Sequence, residues 1–285
     1  MNFFDLFIDK DDINKARGCT ISLGAFDGCH LGHQVLFSKV DYSLTFHPSP
    51  KAYFNPNESV LTLIDEKKLL NPKFVFLHFN ERMIDLTAEQ FIKGIVDTLE
   101  PKKIVIGWDF HFGRNLQGNT DTMKILAEKY QFQLEIVPPV KVGSHIVKST
   151  LIRELVHKGE IEKANRFLGY EYFFMSDVVH GKGEGRKLGF PTINLEIVPR
   201  KVIPKSGVYS GFTMYAGKKY LTAISILRRD RLECEGHILD FTGDLYGKTA
   251  QISFTRFVRD QQDFSNNELL KKQIAQDIKD IRSKR

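Results

Sequence analysis

Thr20-Ile21-Ser22-Leu23-Gly24-Ala25-Phe26-Asp27-Gly28-Cys29-His30-Leu31-Gly32-His33 decides how the first half of this chain is read. The run Thr20–Leu23 is apolar and strand-like, and it leads into Gly24, Gly28 and then a His-x-Gly-His step. Residues 34–40, which follow, are helix-compatible. A helix start carries unpaired backbone N–H groups and a partial positive charge, so it suits a phosphate. Gly28 and Gly32 let the backbone come close to such a group, because neither carries a side chain. The imidazoles of His30 and His33, one turn apart, can both donate to the same anion. That is the arrangement expected around the phosphates of ATP while its α-phosphorus is attacked. A metal is the alternative reading, and it would need a third ligand.

Outward from this stretch, the first half alternates strand-like and helix-like segments. Thr20–Leu23, Lys103–Gly107, Gln133–Val137 and the runs 42–46 and 73–77 read as short buried strands rich in Ile, Val and Phe. Thr87-Ala88-Glu89-Gln90 is a capping box, and Phe91, Ile92, Ile95, Val96 and Leu99 follow at helical spacing until Pro101. Strand and helix in alternation predict a parallel sheet with helices on both faces. Ligands of such sheets sit at the carboxyl ends of the strands, where the His-x-Gly-His step falls. Residues 149–158 predict a helix with Ser149 at its N-cap, ended by Gly159. A second helix, 160–168, ends at Gly169, and the pair reads as a connection between domains.

After about residue 170 the pattern changes to short β runs separated by turn residues. Phe173–Val179 and the runs 208–215, 220–226, 235–241 and 250–257 predict a small antiparallel barrel. Leu270, Ile274, Ile278 and Ile281 share one face of a terminal helix that would pack on it.

With 285 residues the chain has room for one large domain or two moderate ones. No apolar run is long enough to span a bilayer, and the first twelve residues carry Asp5, Asp9, Asp11 and Asp12 rather than a positive secretory n-region. Cys19, Cys29 and Cys234 are odd in number and far apart, which fits free thiols in a reducing cytoplasm. A net charge of +6 fits a solvated basic surface or phosphorylated small molecules. Nucleic acid is the weaker choice, because there is no basic stripe interleaved with aromatics and no zinc-finger spacing. Nothing in the sequence sets an oligomeric state.

Further motifs carry chemistry. Asp109, in Gly107-Trp108-Asp109-Phe110-His111-Phe112-Gly113, ends a strand, where it can meet a ribose hydroxyl, an adenine edge or a metal. Ser149 and Thr150 open a helix with Arg153 one turn on, which makes a second anion site. Gly181, Gly183, Gly185, Arg186 and Gly189 lie in a glycine-rich flap able to wrap phosphates with backbone amides. Pro191-Thr192-Ile193-Asn194 then returns to an extended conformation. Thr192 and Asn194 alternate onto one face, where a hydroxyl and an amide oxygen can complete the oxygen shell of Mg²⁺. Alternation also places Glu235 and His237 together, so Glu235 can serve as general base toward an alcohol.

Taken in order, these segments resemble the bacterial bifunctional riboflavin kinase/FAD synthetase family. The resemblance runs through Gly24-x-Phe26-Asp27-Gly28-x-His30-Leu31-Gly32-His33, Thr45-Phe46-x-Pro48-x-Pro50, Gly107-x-Asp109-Phe110-x-Phe112-Gly113 and Ser149-Thr150-x-Ile152-Arg153. It continues through Val179-His180-Gly181, Gly185-Arg186-x-Leu188-Gly189-Phe190-Pro191-Thr192-x-Asn194-Leu195, Gly207-Val208-Tyr209 and Asp240-Phe241-x-Gly243-Asp244-Leu245-Tyr246-Gly247.

The resemblance implies a Rossmann-like nucleotidyltransferase domain over residues 1–168 that adenylylates FMN to FAD. It implies a six-stranded kinase barrel over residues 169–285 that phosphorylates riboflavin to FMN. It carries over ATP binding to Gly24, Phe26, Asp27, Gly28, His30 and His33, with Asp109 at the adenylyl site. Ser149, Thr150 and Arg153 would cover the triphosphate, and His30, His33 and Arg153 would stabilise the departing pyrophosphate. In the barrel Gly181, Gly183, Gly185, Arg186, Gly189 and Pro191 would bind ATP. Thr192 and Asn194 would hold Mg-ATP, and Glu235 would activate the ribityl hydroxyl.

The chain departs from the family pattern at Ala25, His47, Ser49 and Trp108, in the loop 227–233, and in a first crossover with only eleven residues between His33 and Thr45. Two rival readings are a riboflavin kinase with a degenerate adenylyltransferase half and a non-catalytic flavin or nucleotide sensor.

Overall fold

The protein is described from a computed structural model over residues 3–228 and 232–284. It divides into two compact units, Met1–Ser149 and Thr150–Arg285. The helical pair that the sequence reading placed before a 168/169 division thus groups by contact with the second unit.

In the first unit β1 (Thr20–Leu23), β2 (Tyr42–His47), β3 (Phe74–His78), β4 (Lys103–Gly107) and β5 (Gln133–Val137) form a sheet in the order β3-β2-β1-β4-β5. Every pairing is parallel. Such a sheet is covered on both faces, which is why these strands read as continuous apolar runs. The predicted capping box forms: Gln90 N donates to Thr87 Oγ1 at 3.2 Å and Thr87 N to Gln90 Oε1 at 2.9 Å. The helix Ala88–Leu99 that it starts buries Phe91, Ile92, Ile95 and Leu99.

The first crossover is short but sufficient. Its helix spans Leu31–Phe37 rather than 34–40, so His33 lies inside the first turn and His30 stands at the N-cap position without a side-chain capping bond. The strand order reverses between β1 and β4, and the His30–His33 turn and the Asp109 loop follow those two strands. That is the crevice where doubly wound sheets hold ligands. A two-stranded hairpin, β6 (Lys141–Val142) with β7 (His145–Ile146), precedes the helix Ser149–His157. Ser149 is the first residue of that helix and not its cap.

The second unit is a closed barrel of β8 (Phe173–Val179), β9 (Ile193–Leu195), β10 (Gly207–Tyr215), β11 (Lys218–Arg228), β12 (Leu232–Ile238) and β13 (Thr249–Arg259). Its order is β10-β11-β12-β9-β8-β13, with every ladder antiparallel. Strand β12 stops at Ile238 and not at residue 241, because Asp240 takes a left-handed φ of 57° in a turn. The terminal helix Asn267–Ser283 is capped by Asn266, whose side chain accepts from Leu269 N at 3.0 Å.

Candidate active sites

In the first unit the bend after β1 is built tightly. Gly28 has a φ of 82°, in the left-handed region that disfavours a Cβ. Its N–H donates to Thr62 Oγ1 at 2.9 Å. Asp27 Oδ1 accepts from Leu61 N at 2.8 Å and Thr62 N at 3.2 Å, so this aspartate anchors the bend. Ser149 Oγ donates to Asp27 O at 2.8 Å, which spends on the bend the hydroxyl expected to cap its own helix. Thr150 and Arg153 follow in that helix and belong by contact to the second unit.

The rings of His30 and His33 stack at 3.6 Å between centroids, 17° from parallel. Phe26 meets His33 edge-on at 5.3 Å. Burial pushes the His30 imidazole down to about 4, against a partial offset from the Asp27 charge. Burial holds His33 well below the usual histidine range too, and the charges of His30 and Lys67 add to it. At neutral pH the pair is therefore two neutral rings. Nδ1 of each is buried and has no hydrogen-bond partner among the described residues.

Such rings can donate N–H bonds to an anion without carrying charge of their own. Among the described residues no group of three or more His, Cys, Asp or Glu stands together as metal ligands, so the pair lacks a third ligand of that kind. Cys29 is buried, with its Sγ directed to Phe26 O at 3.5 Å. Asp109 is exposed on the loop after β4, where its carbonyl accepts from His111 Nδ1 at 3.0 Å.

In the barrel three cavities adjoin. The largest, about 430 Å³, is lined by Glu235 and His237 of β12 and by Leu270, Ile274 and Ile278 of the terminal helix. A small polar cavity of about 20 Å³ lies among Gly181, Gly183, Gly185, Thr192, Asn194 and Glu235. A third, about 160 Å³, is lined by Arg186, Pro191, Thr192, Phe241, Leu245 and Tyr246. Thr192 lines all three, and Glu235 borders the small and the large one.

The predicted neighbours are brought together by register. Asn194 of β9 pairs directly opposite Glu235 of β12. His237 Nδ1 donates to Pro191 O at 2.8 Å, which ties β12 to the segment carrying Thr192. A Cβ on Gly181 would come within 2.2 Å of Asn194 Nδ2, so the chain needs glycine there to admit that side chain. The glycine-rich flap is not wholly irregular. Residues Glu184–Lys187 form one helical turn, and Phe190 N donates to Gly185 O at 2.8 Å. Of the loop 227–233, residues 229–231 lie outside the described residues.

Sequence reasoning missed part of the site. Leu270, Ile274 and Ile278 read as a packing face, but the structure leaves them partly buried on the wall of the large cavity. Periodicity cannot separate the two roles, because both demand one apolar helical stripe. Arg259 and Asp277 also line this cavity and form a largely buried ion pair at 2.8 Å. Tyr246 stacks on His180 at 3.9 Å beside the third cavity.

Known proteins agree with this architecture. The FAD synthetase family model matches residues 12–151, and the riboflavin kinase family model matches residues 168–284. A bifunctional riboflavin kinase/FMN adenylyltransferase of Listeria monocytogenes is 31% identical, covering 95% of this chain and 93% of its own. One of Buchnera aphidicola from Schizaphis graminum is 33% identical, covering 92% of each chain. A solved structure from Streptococcus pneumoniae, named a macrolide-efflux protein, is 28% identical with a TM-score of 0.84, covering 93% of this chain and 94% of its own. Among the described residues no helix of the present chain is long and apolar enough to cross a membrane. The chain belongs to the bifunctional riboflavin kinase/FMN adenylyltransferase family.

Proposed function

We propose that the chain makes FMN from riboflavin in the barrel and FAD from FMN in the parallel-sheet unit, each step using one ATP. The observation that carries the kinase reading is the trio of adjoining cavities that meet at Thr192. The large one, with its apolar wall, suits the flavin ring. The one beside Tyr246 suits a nucleotide base. The small polar one between them suits the γ-phosphoryl group.

Glu235 faces the junction of flavin and phosphate cavities. It accepts the proton of the ribityl 5′-hydroxyl as that oxygen bonds to the γ-phosphorus and ADP leaves. Gly181, Gly183 and Gly185 offer backbone amides to the phosphates, and Arg186 and Pro191 border the base cavity. The donor set also fits Mg²⁺: Thr192 and Asn194 supply neutral oxygens, and the close approach at Gly181 keeps Asn194 in the cradle. A Mg²⁺ ion held by Thr192 and Asn194 would neutralise charge on the phosphates. The free thiols Cys19, Cys29 and Cys234 support a cytoplasmic setting.

In the first unit a phosphate oxygen of FMN bonds to the α-phosphorus of ATP and pyrophosphate leaves. The nucleophile is already ionised, so no strong base is required. His30 and His33 donate N–H bonds as charge builds on the departing group. Incubation with riboflavin, ATP and Mg²⁺, followed by chromatography, tests the reading. Both FMN and FAD are expected. FMN without FAD would leave the adenylylation half inactive, and flavin binding without ATP consumption would overturn the enzyme reading.

A further inference from the structure

We propose that Lys67 is a positioning residue for adenylyl transfer. It fixes the Ala25 carbonyl behind the His30–His33 turn and presents its charge to the polyphosphate of ATP. The inference rests on the reading of that turn as the ATP site. Lys67 lies on the helix Ile64–Leu70 and is only 5% exposed. Its Nζ donates to Ala25 O at 2.6 Å and to Thr45 Oγ1 at 3.5 Å. Thr45 Oγ1 in turn donates to Ala25 O at 3.1 Å, so one carbonyl is held from two sides.

Lys67 makes no ion pair among the described residues. Asp27 is engaged as the anchor of the bend, through Leu61 N and Thr62 N. Burial lowers the pKa of Lys67, and the Asp27 carboxylate, acting through space and not in contact, offsets only part of that cost. An apolar side chain of the same length would avoid it. What the lysine adds is charge. The two imidazoles are neutral at working pH. The bend offers amides and ring N–H groups with no net positive charge of their own, and the ligand it faces is strongly anionic. Lys67 holds the Ala25 carbonyl of that bend and is close enough that its charge bears on His33.

The test uses the full chain and two assays: FAD formation from FMN and ATP, and FMN formation from riboflavin. The variants are Lys67→Gln, which keeps an uncharged N–H donor one bond shorter, and Lys67→Met, which has none. For Lys67→Gln we expect the KM for ATP in FAD formation to rise roughly tenfold, the scale of one unit charge acting through space in a partly screened site, with kcat less affected. Lys67→Met should lose kcat as well, because the carbonyl is then held by Thr45 alone. FMN formation should be unchanged in both.

Wild-type KM in Lys67→Gln, or a loss of kcat at unchanged KM, would make Lys67 a structural peg and overturn the proposal. Should Lys67→Gln fail to fold, the KM of Lys67→Met decides in the same way. His33→Ala is the control for the underlying reading. If it retains FAD formation, the turn is not the ATP site, whatever Lys67 does. If it loses FAD formation while the Lys67 variants keep wild-type KM, only the present inference fails.

Discussion

Glu235 and Asn194 stand opposite each other across the β12–β9 ladder, and both border the small polar cavity. The pairing sets a carboxylate against an amide oxygen from a strand of only three residues. Replacing Glu235 by Gln keeps the shape and removes the proton acceptor. FMN formation should fall at least about a hundredfold, the lower range for general acid–base catalysis. FAD formation from supplied FMN should stay near wild type. Equal loss of both activities would contradict two separate sites.

Gly181→Ala is expected to act through Asn194. The added Cβ would lie 2.5 Å or less from all three terminal atoms of that side chain, which must turn away. The KM for Mg-ATP in the kinase assay should rise, and higher Mg²⁺ should restore part of the loss. A variant indifferent to Mg²⁺ concentration would show that Asn194 is not a metal-side ligand.

The stacked histidines predict a pH dependence of stability. His30 titrates near 6.5 when unfolded and at about 4 when folded, so the unfolded chain binds more protons between those values. Stability is therefore fully present above about 6.5 and is lost as pH falls toward 4, by roughly a few kcal/mol for this group. Thermal melts of wild type and His30→Gln across that range should converge at acid pH. Parallel curves would show that His30 is not buried neutral.

Arg259 and Asp277 join β13 to the terminal helix, with Nε donating to both carboxylate oxygens at 2.9 and 3.0 Å. Gln273 Nε2 adds a bond to the same carboxylate at 2.8 Å. Asp277→Asn leaves a largely buried guanidinium without its counter-charge, at a cost of about 3–5 kcal/mol. Because the helix walls the large cavity, the KM for riboflavin should rise as well. Chemical denaturation and riboflavin titration of the same variant check both effects.

Much of this protein was legible in the chain alone. The apolar strands, the Thr87–Gln90 capping box and the alternation at Thr192 and Asn194 are local patterns, written at the period of the element that carries them. The reach of His33 into its helix was misjudged by three residues, since one turn separates a cap from an interior position only by hydrogen bonding. Ser149 was misread for the same reason: its hydroxyl serves Asp27, a partner 122 positions away. Lys67 gave no sign of its place, because a lysine on a charged helix reads as solvated until packing encloses it.

The sequence by itself determined the two fold classes, the order of the motifs and which residue types could meet phosphate. Only the tertiary structure decided that one threonine borders three cavities, that both histidines are neutral and that the terminal helix walls a cavity of about 430 Å³. Those are properties of burial and of strand register, which bring together groups from opposite ends of a ladder. No window along the chain contains them.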